Sequence, residues 1–185
     1  TGARPALRAG LTGTEAEGRV SRVALPLRQA SLVVQRRIFM AVLNGCRIRI
    51  DYLSLMREET SRRWIRPYAF GEDGYRWHVR AWCEERGDFR DFVLSRIKAA
   101  EIPGEAVPLP QRDTDWETIE TLNLVPNPDL QPAQQAAVAE DFGLQQGKIS
   151  LSVRKALLPY TLDHLRLPNG FNDGRPFLVR ESADG

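Results

Sequence analysis

Residues 62–97, RRWIRPYAFGEDGYRWHVRAWCEERGDFRDFVLSRI, mix arginines and aromatics at a period of two, with two breaks rich in glycine and acidic residues. Successive side chains of a strand point to opposite faces. The pattern therefore predicts short antiparallel strands joined at Gly71, Gly74 and Gly87. Tyr75, Trp77, Val79, Ala81 and Cys83 share a core-like face, and Arg76, His78, Arg80 and Trp82 share a cationic, aromatic one. The next run sets Arg90, Phe92, Leu94 and Arg96 against Asp91, Val93, Ser95 and Ile97; earlier, Arg63 and Ile65 oppose Arg62, Trp64 and Arg66. Such faces suit an anion or a nucleotide, because guanidinium groups donate in forks and aromatic rings stack.

The flanking segments extend this sheet. Leu32, Val33, Ile38, Phe39, Val42 and Leu43 recur at helical spacing within 27–43, and Gly45 follows as a stop. Arg36 and Arg37 are expected on the solvated side of that helix. CRIRIDYLS at 46–54 predicts a strand with Ile48, Ile50, Tyr52 and Ser54 on one face. A helix followed by four or five short antiparallel strands closes naturally into a small barrel, which removes exposed edges. Prolines at 103, 108 and 110 then break all periodicity. Beyond them the reading is a strand over Ile119–Val125, a helix from Pro132 to Gly143, a strand over Lys148–Val153, and a helical face of Leu157, Leu158, Leu162 and Leu165. The tail from Pro168 is turn-rich. The fold class is α+β, divided into an arm (1–26), a barrel unit (27–100), a linker (101–116) and a second unit (117–185).

Composition narrows the function classes. No apolar run approaches the ~18 residues of a membrane span, and the opening TGARPALRAG has no signal-peptide core. The expected compartment is the cytoplasm. Cys46 and Cys83 are expected as free buried thiols, and with His78 and His164 they offer no zinc-ligand spacing. Neither a metal nor a cofactor is expected. Residues 1–46 hold seven basic and two acidic side chains, whereas 99–185 hold seven and thirteen, so positive charge lies with the barrel side of the chain. The sequence has no nucleophile elbow, P-loop or dinucleotide-binding glycine motif. Catalysis is not expected.

IRIDYLS at 48–54, RWIRP at 63–67, GYRWHVRAWC at 74–83 and RDFVLSRI at 90–97 resemble the WYL-domain transcriptional regulators. The name-giving tripeptide stands here as Trp77, His78 and Val79, a variant similar to the BrxR/CapW-like subgroup that controls phage-defence operons. LVPNPDLQPAQQAAVAEDFG and LSVRKALLPYTLDHL resemble that subgroup's C-terminal extension. The resemblance implies an Sm-like or SH3-like barrel that senses a ligand and a WCX-like α+β dimerisation module. It also implies a homodimer, with operator DNA contacted only through an N-terminal winged helix-turn-helix absent from this chain. The implied effector is a nucleic-acid fragment or nucleotide, held by Tyr52, Ser54, Arg63, His78, Arg80, Arg90 and Arg96. Ser95 departs from a common Asp, and Tyr68 from a common His. A second reading makes the arginines structural partners of Glu58, Asp88 and Asp91 in an interaction module without a ligand. A third, a nucleic-acid enzyme, would require turnover of a bound oligonucleotide.

Overall fold

The computed structural model describes residues 29–55, 59–167 and 176–181; the expected arm lies outside them. Helix α1 (Leu32–Leu43) begins where the Ser31 hydroxyl accepts the N–H of Val34 at 3.3 Å, which satisfies one of the unpaired donors of a first turn. It ends before Gly45, whose φ of 62° is readily adopted only without a Cβ. Val34, Ile38 and Ala41 face inward. Of the apolar positions expected on the packed face, Leu32, Val33, Phe39 and Leu43 are instead exposed. The helix is apolar on two sides, and periodicity alone does not say which side is covered. Arg37 also departs from expectation, because it is half-buried and donates to the carbonyl of Ala100.

Strands β1 (Ile48–Ser54), β2 (Glu59–Glu72), β3 (Trp77–Cys83), β4 (Asp88–Val93) and β5 (Ile97–Ala100) form an antiparallel sheet in the order β4-β3-β2-β1-β5. The register pairs Ile48 with Ile65, Ile65 with Cys83 and Val79 with Phe92. Alternation then gathers Ile50 and Ala81 with them on one face, and α1 seals it into the first core.

Three details differ from the sequence reading. Gly71 lies inside β2 rather than in a turn: a Cβ there would sit 2.9 Å from Cδ2 of Leu157, so this glycine admits the second unit. The run 90–97 is not one strand. It breaks at a 3-10 turn (Leu94–Arg96) that carries the chain from the β4 edge to β5, beside β1. The sheet is also open rather than a closed barrel, since no ladder joins β4 to β5 among the described residues. It nevertheless curls. Tyr52 on β1 meets Phe92 on β4 edge-on at 5.0 Å and accepts the N–H of Val93 at 3.3 Å, although two strands separate β1 from β4.

The expected linker is ordered along β1: Gly104 N–H donates to the carbonyl of Arg47 and Val107 N–H to that of Gly45. It ends in a short helix α2 (Thr114–Glu117) capped by Asp113. The second unit contains β6 (Ile119–Pro126), α3 (Pro132–Asp141), β7 (Ile149–Arg154), α4 (Leu158–His164) and β8 (Leu178–Arg180), with sheet order β7-β6-β8. Leu122, Leu124, Val138, Leu162, Leu167 and Leu178 make its core. β8 falls in the turn-rich tail, to which the sequence reading assigned no element; at three residues it is too short to show an alternation.

Ile65 is fully buried between β1 and β3. Ile65→Ala should lower the unfolding free energy by about 3 kcal/mol, and the exposed Ile119→Ala by less than about 1 kcal/mol, both measured by urea denaturation.

Candidate functional site

The two faces of the first sheet divide the seven candidate residues. Tyr52, Ser54, Arg63 and Arg90 belong to the core face, because Ile50 pairs with Arg63 and Ala81 with Arg90. Arg63 Nε donates to the Ser61 hydroxyl at 2.9 Å and Nη1 to the Cys83 thiol at 3.8 Å. It has no carboxylate partner among the described residues. Arg90 holds Asp88 in a two-pronged contact at 2.7 and 2.8 Å, yet its side chain is 49% exposed. That hydrogen bond raises the Arg90 pKa, and the nearby Cys83 adds to the rise. The Arg63 guanidinium thus meets a buried thiol, and Arg90 lies on the same face of the sheet. Glu85, beside them, accepts from the Cys83 thiol at 3.5 Å and from the N–H of Trp64 at 2.7 Å. Ser54, half-buried, ends β1 opposite Glu59. Arg96 is half-buried in the 3-10 turn and has no ion-pair partner among the described residues.

His78 and Arg80 lie on the opposite face, beneath the second unit. Arg80 is 6% exposed. Its Nε and Nη2 reach the two oxygens of Asp113 at 2.6 and 3.1 Å, and Nη1 reaches Asp91 at 3.1 Å. Tyr68 donates its hydroxyl to the same Asp113. Burial would raise the Asp113 carboxyl, but the bonds from Arg80 and Tyr68 hold it below the usual range. Burial, with that bond to Asp113, pushes the Tyr68 hydroxyl far above its usual value, so it stays a donor. Asp91 is raised by burial despite Arg80. His78 is fully buried, with Nε2 at 2.9 Å from Asp73 and its ring 4.5 Å from that of Tyr160 on α4. His78 Nδ1 and Asp91 Oδ1 have no hydrogen-bond partner among the described residues.

Sequence reasoning missed Asp73, Asp113, Trp116 and Tyr160. Asp73 stands in the Asp-Gly turn, where its side chain accepts the N–H groups of Tyr75 and Arg76. Asp113 carries the signal of a helix cap before TDWE, a cue that was available. None marks in sequence which strand it will meet. Two cavities adjoin these groups. One, of about 480 Å³, lies between the units, lined by Gly71, Asp73, Trp116, Leu157, Tyr160 and His164. The other is a groove of about 1000 Å³ between α1 and the β2–β3 turn, lined by Leu32, Arg36, Phe39, Tyr75, Trp77 and Leu94. None of the seven candidates lines either cavity. No metal-binding cluster occurs among the described residues, where Cys46 and Cys83 are free and buried. No helix among those residues is long and apolar enough to cross a membrane.

Two family models match the chain. The WYL domain covers residues 34–102, and the BrxR transcriptional regulator C-terminal dimerization domain covers 119–180. The chain is therefore a WYL-domain protein that carries a BrxR-type C-terminal dimerization domain, as the motifs at 48–54, 63–67, 74–83 and 90–97 imply. It is similar to the DNA-binding transcriptional repressor CapW of Stenotrophomonas maltophilia, 40% identical over 131 residues, 70% of this chain and 44% of that protein. CapW of Escherichia coli (strain KTE188) is 36% identical over 148 residues, 80% of this chain and 50% of that protein. The chain thus spans about half the length of the curated relatives it matches. Among solved structures, proteasome accessory factor B/C (PafBC) of Arthrobacter aurescens matches at a TM-score of 0.40 and 24% identity, covering 72% of this chain and 24% of that one.

Arg80→Ala strands two buried carboxylates and should destabilise the protein by about 3–5 kcal/mol in thermal or urea unfolding. Burial opposes ionisation of Asp73, but hydrogen bonds from Arg76, His78 and two backbone N–H groups hold its pKa at about 2, against an ordinary 3.8. A depressed folded-state pKa gives stability that is present above the ordinary value and lost as pH falls toward the folded one. Asp113 has the same sign, and the raised Asp91 the opposite. Unfolding free energy should therefore fall between about pH 4 and pH 2, and Asp73→Asn should flatten that limb in an acid titration followed by circular dichroism.

Proposed function

We propose that this chain is the ligand-sensing and dimerisation portion of a bacterial transcriptional repressor of a phage-defence operon, acting as a cytoplasmic homodimer. Residues 27–100 form the sensing unit, an opened relative of an Sm-like barrel, and 117–185 the dimerisation unit, with 101–116 between them. Operator DNA is read by a winged helix-turn-helix module, and the effector is a nucleic-acid fragment or nucleotide, a signal rather than a substrate. The match to a dimerization domain and the similarity to CapW repressors support the regulatory part.

One observation carries the ligand class. Arg63 presents a half-buried guanidinium that, among the described residues, bonds a hydroxyl and a thiol, on the same sheet face as the half-exposed Arg90. A fork-shaped donor without a carboxylate, as Arg63 is among the described residues, suits phosphate oxygens, and Arg90 would exchange Asp88 for them, with Ser54 and Arg96 as further donors and Tyr52 as an aromatic wall. In this reading Tyr52, Ser54, Arg63, Arg90 and Arg96 meet the effector, while His78 and Arg80 serve it from behind the sheet. The competing reading, a dimerisation module with no small ligand, rests on Arg80, whose guanidinium is committed to Asp91 and Asp113, and on the pairing of Arg90 with Asp88; Glu58, its third carboxylate, lies outside the described residues.

Fluorescence anisotropy at low salt with short single-stranded DNA, RNA and cyclic nucleotides separates the two. Under the sensing reading at least one class binds and weakens steeply as salt rises. Arg63→Ala and Arg90→Ala should then reduce affinity by roughly tenfold or more. Absence of binding to every class, or affinity unchanged in both variants, would leave the structural reading standing.

A further inference from the structure

Beside the packing of Leu157 on Gly71 and of Tyr160 on His78 and Asp91, one polar contact between the sensing sheet and the chain leading into the dimerisation unit runs through a single carboxylate. Asp113 receives Tyr68 of β2 and Arg80 of β3 directly, and Asp91 of β4 through the shared guanidinium of Arg80. On its other side Asp113 caps α2 through the N–H of Trp116. Helix α2 is in turn bound to the end of β7: Arg154 donates to the carbonyl of Trp116 and lies 4.9 Å from the Trp116 ring centroid, while Lys155 sits 2.8 Å from Asp115. Three strands of one sheet and one strand of the other thus meet within a single short network.

The position of β4 gives that network a use. Arg90 and Asp91 are consecutive, so they project to opposite faces, one to the core face with the proposed effector site, the other toward Arg80. Because peptide planes are rigid, a twist of β4 at Arg90, as an anion draws its guanidinium from Asp88, also turns Asp91 against Arg80. The junction is suited to respond. Asp91 Oδ1 and His78 Nδ1 are buried and unsatisfied among the described residues, and a half-satisfied polar network has less to lose on rearrangement than a packed apolar one.

Resting on the effector reading above, we propose that the Arg80–Asp113 contact is the coupling element through which an anion at Arg63 and Arg90 and the dimerisation unit sense one another. The route is β4, Asp91, Arg80, Asp113 and α2. Arg80 and Asp113 are positioning residues and do not touch the anion.

The test uses the whole chain. Sedimentation velocity gives the dimer dissociation constant of the wild type, Arg90→Ala, Asp113→Asn and the double variant. Arg90 and Asp113 share no hydrogen bond or ion pair, so uncoupled effects multiply to within about twofold. A departure greater than that, of roughly fivefold, is the expected result; a product within it overturns the coupling, as does a wild type that stays monomeric. Tyr68→Phe, which removes one hydroxyl from the node, replaces Asp113→Asn if the latter does not fold. A fluorescent oligothymidylate of about ten nucleotides is then added. It should shift the wild-type dimer constant roughly fivefold, whereas Asp113→Asn should bind it within about twofold of wild type and show no shift. A shift that persists in Asp113→Asn overturns the proposal. A wild type that does not bind the oligonucleotide counts against the effector reading alone, because the cycle on the unliganded protein judges the coupling separately.

Discussion

A guanidinium that is 6% exposed constrains everything around it. An ion removed from water is tolerable only when paired and hydrogen-bonded, so Arg80 requires both Asp91 and Asp113. Asp91 comes with the neighbouring strand. Asp113 does not, and the chain from residue 101 must run back along the first sheet to deliver it. That return sets α2, and α2 positions the start of the second sheet. The two units therefore share a polar joint as well as a chain crossing. Leu157 against Gly71 and Tyr160 against His78 close the remaining space.

The first sheet is consequently buried on both sides near β3, where His78, Val79, Arg80 and Ala81 are all inaccessible. Its two faces do different work. The core face holds α1 and the aliphatic residues, and toward Arg63 and Arg90 it becomes charged, with Glu85 and Asp88 as the accompanying carboxylates. The opposite face is an interface within the chain. Two of the seven residues that the WYL resemblance points to therefore sit where a ligand meets protein on every side, and the other five remain on the core face or in the 3-10 turn.

Much of this was readable from residues. The alternation of 74–83 and 46–54 identified strands and their faces, because a half-buried strand must separate apolar from polar side chains. Helical spacing placed α1 within 27–43, though of its buried residues Val34, Ile38 and Ala41 only Ile38 was among the apolar positions singled out, and Pro132 and Gly143 bracket α3. The motif GYRWHVRAWC was specific enough to place the chain among WYL-domain proteins. Other features were misread for a common reason. Gly71 resembles a turn glycine until Leu157, far away in sequence, occupies the space of its missing Cβ. Residues 90–97 keep the alternation of a strand although the chain bends within them.

The sequence by itself determined the class of fold, the strands with their two kinds of face, and the family, since each rests on local periodicity or on a contiguous motif. Only the tertiary structure decided which cationic residues are available. Arg80 and Arg90 are ten positions apart in similar surroundings of charge and aromatic rings, yet one is enclosed by two carboxylates and the other is half exposed. That difference comes from Asp113, thirty-three residues beyond Arg80, and local pattern carries no information about long-range pairing. Nor could local pattern show that the curled sheet stays open among the described residues, because a register between β4 and β5 is also a long-range pairing.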